Sequence, residues 1–258
     1  MIFYLGTHRP NWLGIVDVPL FVSRTTLGRI KRKFPRARQP WCMDSGGFSE
    51  VVLRGGWTVS PRQYVDEVRR CQDNVGQMMW AAPQDWMCEP VAIAATGLSV
   101  KEHQRRTVEN YLELMTRAPD LPWIPVLQGW APSDYEQHAR DYAAAGVDLA
   151  GCDTVGVGSV CRRQGTREAV GILTTIARVV PGIQMHGFGF KRSGIAQAHS
   201  MLRSADSLAW SYTARRDERM VGCTHSGKCN NCMRYALAWR EETLSPFRRK
   251  EIQMEMFS

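Results

Sequence analysis

Two short stretches, Cys42-Met43-Asp44-Ser45-Gly46-Gly47-Phe48 and Ala205-Asp206-Ser207-Leu208-Ala209-Trp210, each set an aspartate at the end of an apolar run beside small residues. Small neighbours leave room for a ligand against the carboxylate. Where parallel strands end in an alternating β/α chain, carboxylates placed this way carry chemistry. One of the pair can attack a sugar carbon while the other moves protons, which is chemistry at a glycosidic bond.

Other strand ends carry polar groups suited to a flat ligand. Val126-Leu127-Gln128-Gly129-Trp130 puts an amide, both donor and acceptor, where a strand meets its loop. Asp85, closing Trp80-Ala81-Ala82-Pro83-Gln84-Asp85-Trp86, can accept from the N–H groups of a guanine-like edge. A buried structural glutamine and a loop-capping aspartate are the competing readings. Val155-Gly156-Val157-Gly158-Ser159 lets backbone amides approach a ligand, or simply packs tightly. His186, in His186-Gly187-Phe188-Gly189, either stacks on a base or packs under its loop.

Cys223, His225, Cys229 and Cys232 lie within ten polar residues. Cys-x-His and Cys-x-x-Cys pairs joined by a short turn supply four soft ligands suited to tetrahedral zinc. With all four positions taken by protein, the zinc is structural. The other cysteines are scattered and read as small buried hydrophobes.

These groups need a frame to hold them. Strand-like runs fall at 2–6, 18–23, 41–44, 77–82, 123–128, 154–158, 183–187 and 205–210, with helical patterns at 25–34, 61–71, 100–117, 133–145, 166–179 and 193–203. Ser60 and Ser133 suit helix starts, and Gly146 and Gly182 suit left-handed helix ends. Eight strands with crossovers predict an α/β fold, a (β/α)8 barrel over residues 1–215. Residues 216–258 read as a zinc-binding element and C-terminal helix packed on that barrel. A doubly wound sheet is the weaker alternative, because no GxGxxG follows the first strand.

The chain has 258 residues, 44% hydrophobic, enough for a large core. No uncharged apolar run is long enough to cross a membrane, and the start lacks a signal-peptide pattern, so a cytoplasmic protein is expected. Lys and Arg number 33 against 25 acids, a net charge of +8. Arg29, Lys31, Arg32, Lys33, Arg36 and Arg38 fall close together with no acid among them, reading as either a solvated helix face or a phosphate-contacting patch.

With Asp44-Ser45-Gly46-Gly47-Phe48, Gln128-Gly129, His186-Gly187-Phe188-Gly189, Asp206 and the cysteine cluster in this order, the chain resembles the guanine transglycosylase superfamily. Within it, the DNA-acting branch, the DpdA-type enzymes, is the nearest match. The resemblance spans the barrel and the zinc element. It implies replacement of guanine in DNA by a 7-deazaguanine such as preQ0, through a covalent intermediate on Asp206. Asp44 matches the general acid/base and Ser45 a base-contacting neighbour. Phe48 covers the bound base, with His186 on its other face. Asp85, Gln128 and Gly129 fall where the base edge is recognised, and Gly158 and Ser159 where backbone amides meet it. The resemblance allows a homodimer.

Two departures bear on this. Family members complete their Cys-x-Cys-x2-Cys set with a downstream histidine, whereas here none follows His225, so the fourth ligand is inferred. The chain also ends without room for the extra RNA-binding domain of archaeal tRNA enzymes, which favours DNA over tRNA. A base-excising glycosylase and a non-catalytic nucleic-acid-binding barrel are the rival readings.

Overall fold

Short β-rich runs that are apolar on both sides cannot face water, and the chain buries them as parallel strands covered by helices. The computed structural model describes residues 1–31, 33–160 and 167–256, with side chains through Phe247. It forms two compact units, Met1–Asp206 and Ser207–Ser258.

The first unit runs β1 (Ile2–Thr7), a 3-10 turn (Pro10–Gly14), β2 (Leu20–Ser23), α1 (Arg24–Leu27), β3 (Trp41–Asp44), α2 (Gly47–Arg54) and α3 (Pro61–Val75). It continues with β4 (Met78–Ala81), α4 (Pro90–Thr96), α5 (Val100–Arg117), β5 (Val126–Leu127), α6 (Pro132–Ala144), β6 (Val155–Val157), α7 (Arg167–Val179), β7 (Met185–Gly187), α8 (Arg192–Ala198) and β8 (Ser204–Ser207). The strands form one curled parallel sheet in the order β4-β3-β2-β1-β8-β7-β6-β5. The outer members of that order also meet, at one parallel bridge between Ala81 and Trp123 just ahead of β5.

All eight expected strands are present; β2, β4, β6 and β7 are each two residues shorter, and β5 keeps only Val126–Leu127 of the run expected over 123–128. In the last, the run expected to 210 stops at Ser207, and helix follows from Ala209. Three helices were not foreseen, namely α2, α4 and α9 (Ala209–Arg216). The helix expected over 25–34 ends at Leu27, where Gly28 and a run of like charges leading to Pro35 give it nothing to continue with. Ser60 caps α3 as expected, accepting from the Gln63 amide. Ser133 does not cap α6. The Asp134 carboxylate does that work, accepting from the Trp130 and Ala131 amides at 2.8 and 2.7 Å.

Inside the curl, Tyr4, Phe21, Cys42, Trp80, Ile124 and Val126 form one buried cluster, with Phe188 packed against it. Side chains two apart on a strand share a face. Ser23, Asp44 and Asp206 therefore stand on the inner face, toward the C-terminal strand ends from Phe21, Cys42 and Ser204. In-register pairing of Ser23 with Asp44 keeps the first two level.

The second unit holds α9 and α10 (Met233–Met256), which pack on each other, with the cysteine-rich loop between them. The division into compact units falls after Asp206, with α9 grouped with α10. Among the described residues no helix is long and apolar enough to cross a membrane.

Candidate active site

Asp206, on β8, is almost fully buried. Its Oδ1 accepts from the Gly189 amide at 2.8 Å and meets His186 Nε2 at 3.3 Å. Among the described residues no donor reaches Oδ2. His186 Nδ1 lies 2.9 Å from the Ser204 hydroxyl, so with the ring proton on Nε2 the imidazole donates to Asp206 and accepts from Ser204. The ring is fully buried, 4.7 Å from Trp80 and 4.8 Å from Phe188 between centroids, with Tyr4 and Phe21 close by. This corrects the stacking position expected for His186: aromatic rings enclose the imidazole, and it supports Asp206 from below.

Asp44 ends β3 facing the same space. Burial raises its pKa, and the negative charge of Asp206 adds to the rise; the Ser23 hydroxyl and Gly46 amide, donating to the carboxylate, oppose it. Asp44 thus lies near enough to Asp206 to feel its charge. The turn that follows needs Gly46: φ is 77°, and a Cβ there would lie 2.7 Å from the Thr25 side chain.

A line of hydrogen bonds crosses the neighbouring strand ends. Ser45 donates to Asp85 Oδ1 at 2.9 Å, and the Gln128 amide nitrogen donates to Asp85 Oδ2 at 2.6 Å. Ser159 Oγ donates to Gln128 Oε1 at 2.6 Å and accepts from the Cys88 amide at 2.7 Å. Ser159 does this with φ at 56°, a left-handed conformation that costs a non-glycine residue energy and persists where surroundings enforce it. Gly158 is bare for a reason: a Cβ there would lie 2.3 Å from the Gln128 amide nitrogen. Burial pushes Asp85 up to about 6, with the Ser45 hydroxyl and the Gln128 amide working the other way. Gly129 closes against α6, where an added Cβ would meet Asp134 and Tyr135 within 3 Å. Phe48 stands exposed in the first turn of α2.

Several supports were not visible in the sequence. Arg24 is buried, donating to the Ser45 carbonyl at 3.0 Å, to Glu50 at 2.6 Å and to Glu67 at 3.0 Å. Burial would raise the Glu50 pKa; the Thr58 hydroxyl and amide, followed by the Arg24 charge, outweigh it and hold the carboxylate below its ordinary value. Gln104 donates to the Gln128 carbonyl at 2.7 Å, and His138 Nδ1 accepts the Gln128 amide at 2.8 Å. Burial lowers the His138 pKa to about 4, so it serves as a neutral acceptor. Arg24 directly after a strand-ending Ser23 was the available signal, but its partners lie tens of residues away.

The basic stretch is not brought to this site. It runs from the end of α1 toward the start of β3, and its later residues Arg36 and Arg38 reach the N-terminal strand ends, opposite Asp44. Arg36 donates to the Asp73 and Asn74 carbonyls where α3 ends, and Arg38 pairs with Asp17. Arg29, Lys31 and Lys33 are exposed, and Arg32 lies outside the described residues.

In the second unit the ligand atoms of Cys223, His225, Cys229 and Cys232 all lie within 4.8 Å of one another, a set that could hold a metal ion. The Met220 amide donates to the buried Cys229 Sγ at 3.4 Å, and the Cys232 amide to the Cys229 carbonyl at 2.9 Å.

Residues 1–252 match the family DpdA, DeoxyPurine in DNA protein A. No curated protein matches the chain.

Arg24→Met should cost on the order of 2–3 kcal/mol of stability, because it leaves the buried Glu50 carboxylate with only the more exposed Arg54 as its cation; thermal and denaturant melts check this. Asp85 titrates near 3.8 when unfolded and near 6 when folded, so between these values the folded state alone holds the proton. Stability should therefore fall as pH rises from about 4 to 6 through this group. Asp85→Asn should flatten that slope in melts taken across the window.

Proposed function

Because the chain belongs to the DpdA family, we propose that it exchanges guanine in DNA for a 7-deazaguanine such as preQ0 through a glycosyl ester on Asp206. Membership makes the activity a transglycosylase-type modification of DNA. The observation that carries the finer reading is the pair of carboxylates at one site, Asp206 raising the proton affinity of Asp44.

The target guanosine leaves its stack for the pocket at the strand ends. Asp206 Oδ2, the oxygen without a donor, attacks C1′ while His186 and the Gly189 amide hold Oδ1. The C1′–N9 bond breaks and its electron pair leaves with guanine, which takes a proton from Asp44. The raised pKa of Asp44 favours its holding that proton. The incoming deazaguanine then gives its N9 proton to Asp44 and displaces the Asp206 ester from C1′. Two inversions restore the configuration. Ser45, Asp85, Gln128, Gly129, Gly158 and Ser159 supply the edge that reads the base, and Phe48 covers its face. Arg29, Lys31 and Lys33 contribute to a net charge of +8 that draws DNA in at long range rather than touching the extruded nucleotide.

The eight strands are read as closing into a (β/α)8 barrel, which the Ala81–Trp123 bridge supports. The cysteine cluster is read as a structural zinc site. A tetrahedron with Zn–S bonds of about 2.3 Å has edges of about 3.8 Å. Cys223 Sγ lies 3.7 Å from Cys232 Sγ and 3.9 Å from Cys229 Sγ, and His225 Nε2 lies 3.6 Å from Cys229 Sγ. The donors fit that ion, with His225 as the fourth ligand. Zinc there ties the loop after α9 to the start of α10. A homodimer is compatible with this reading, as the family resemblance allows it.

Asp206→Asn should abolish incorporation of labelled guanine or preQ0 into DNA while melting stays near that of the parent. Full incorporation by the variant refutes the ester, and abasic sites in place of incorporation make the protein a base-excising glycosylase. Elemental analysis should find a single zinc per chain, with Cys229→Ser lowering metal content and melting temperature together. Folded protein free of zinc rules the site out.

A further inference from the structure

Ser23 stands at the N-cap of α1 with φ −74° and ψ 139°, where a serine hydroxyl ordinarily accepts an amide of the first helical turn. It makes no such bond, so α1 goes without the stabilisation a cap brings. The hydroxyl is engaged elsewhere. It lies 3.0 Å from Thr25 Oγ1 and donates to the carboxylate of Asp44, its in-register neighbour on β3.

Ser23, Arg24 and Thr25 together enclose the turn that carries Asp44. Arg24 Nε donates to the Ser45 carbonyl at 3.0 Å. A Cβ added at Gly46 would lie 2.7 Å from Thr25 Cγ2, 3.5 Å from Ser23 Oγ and 3.9 Å from Arg24 Nε. Three consecutive residues thus meet three consecutive residues, and the two hydroxyls fall at the end nearest the carboxylate.

The two aspartates are supported by different chemistry. The Gly189 amide on Asp206 Oδ1 can only donate, which suits a group that stays ionised. Beside Asp44 stands a pair of hydroxyls in which either oxygen can be the donor. With Asp44 ionised, Thr25 donates to Ser23 and Ser23 to the carboxylate. With Asp44 protonated, the acid donates to Ser23 and Ser23 to Thr25. Both bonds survive the reversal, so the support serves a group that gives up a proton and takes one back.

We propose that Ser23 and Thr25 are positioning residues for the proton transfers, a reversible hydroxyl pair that follows the proton on Asp44 and holds its carboxyl through both halves of the exchange. The inference rests on the transglycosylase reading above. Thr25 acts through Ser23. The other groups whose charge Asp44 meets are Asp206 on β8, Asp85 on β4, Arg24 on α1 and Tyr64 on α3. All of them are kept in the variants below, so a changed pH dependence reports the hydroxyls.

The test follows release of labelled guanine from DNA by the full-length protein across pH, with preQ0 as the incoming base. Release needs the proton on Asp44 and fails as pH rises through that group. A hydroxyl donating to the carboxylate holds this alkaline limb down. Ser23→Ala should move the limb up by roughly one unit on the pH axis, a tenfold change in proton affinity. Thr25→Val keeps the methyl beside Gly46 and should move the limb the same way by less. The double variant should go no further than Ser23→Ala, and Ser23→Thr should keep the parent limb. If Ser23→Ala does not fold, Thr25→Val against the parent decides. A slower rate with the limb unmoved, or shifts that add in full, overturns the hydroxyl pair alone. Parent protein that releases no guanine from DNA overturns the transglycosylase reading with it.

Discussion

Like charges gathered out of water repel, and three carboxylates, Asp44, Asp85 and Asp206, line one end of the curled sheet. Each is managed differently. Asp206 receives a main-chain N–H and an imidazole on one oxygen. Asp85 receives a hydroxyl and an amide, one on each oxygen, and is still pushed up by burial. Asp44 has the Ser23 and Gly46 donors and the Arg24 charge against burial and a neighbouring carboxylate, and burial still raises it. The one buried cation nearby, Arg24, is committed to Glu50 and Glu67 and reaches the site through the Ser45 carbonyl. The Arg24 charge offsets the repulsion at Asp44 only in part, and a proton on that carboxylate is what would relieve the rest.

The aromatic filling explains why the acids sit where they do. Tyr4, Phe21 and Trp80 close the interior below, with Phe188 and the His186 ring wedged among them. Period-two alternation then places Ser23, Asp44 and Asp206 one layer higher, toward the C-terminal strand ends. The same filling leaves His186 no face for a ligand.

Much of this was legible in the residues. Asp44, Asp85, Gln128 and Ser159 each end an apolar run, and strand ends are read reliably where such a run stops at a polar or small residue. What escaped was whatever depends on contacts far along the chain. Arg24 and Glu50 are 26 positions apart, and nothing local says that either is buried. The helices α2 and α4 are short, and α9 follows its strand so closely that an apolar run appeared to continue through Trp210. In the basic stretch, charge density suggested a helix face. Gly28 ends the helix there, and the chain that follows runs to the opposite strand ends.

The line through Ser45, Asp85, Gln128 and Ser159 has a sense of direction. The Cys88 amide can only donate, which turns the Ser159 hydroxyl outward, which in turn fixes the Gln128 amide with its nitrogen toward Asp85. A glutamine free to flip would exchange its donor and acceptor ends. Here the choice is inherited from a peptide N–H that nineteen of the twenty amino acids carry. The side chain at position 88 is thus free to drift over evolutionary time without erasing the polarity of the line, and only an imino acid there would remove the proton that sets it.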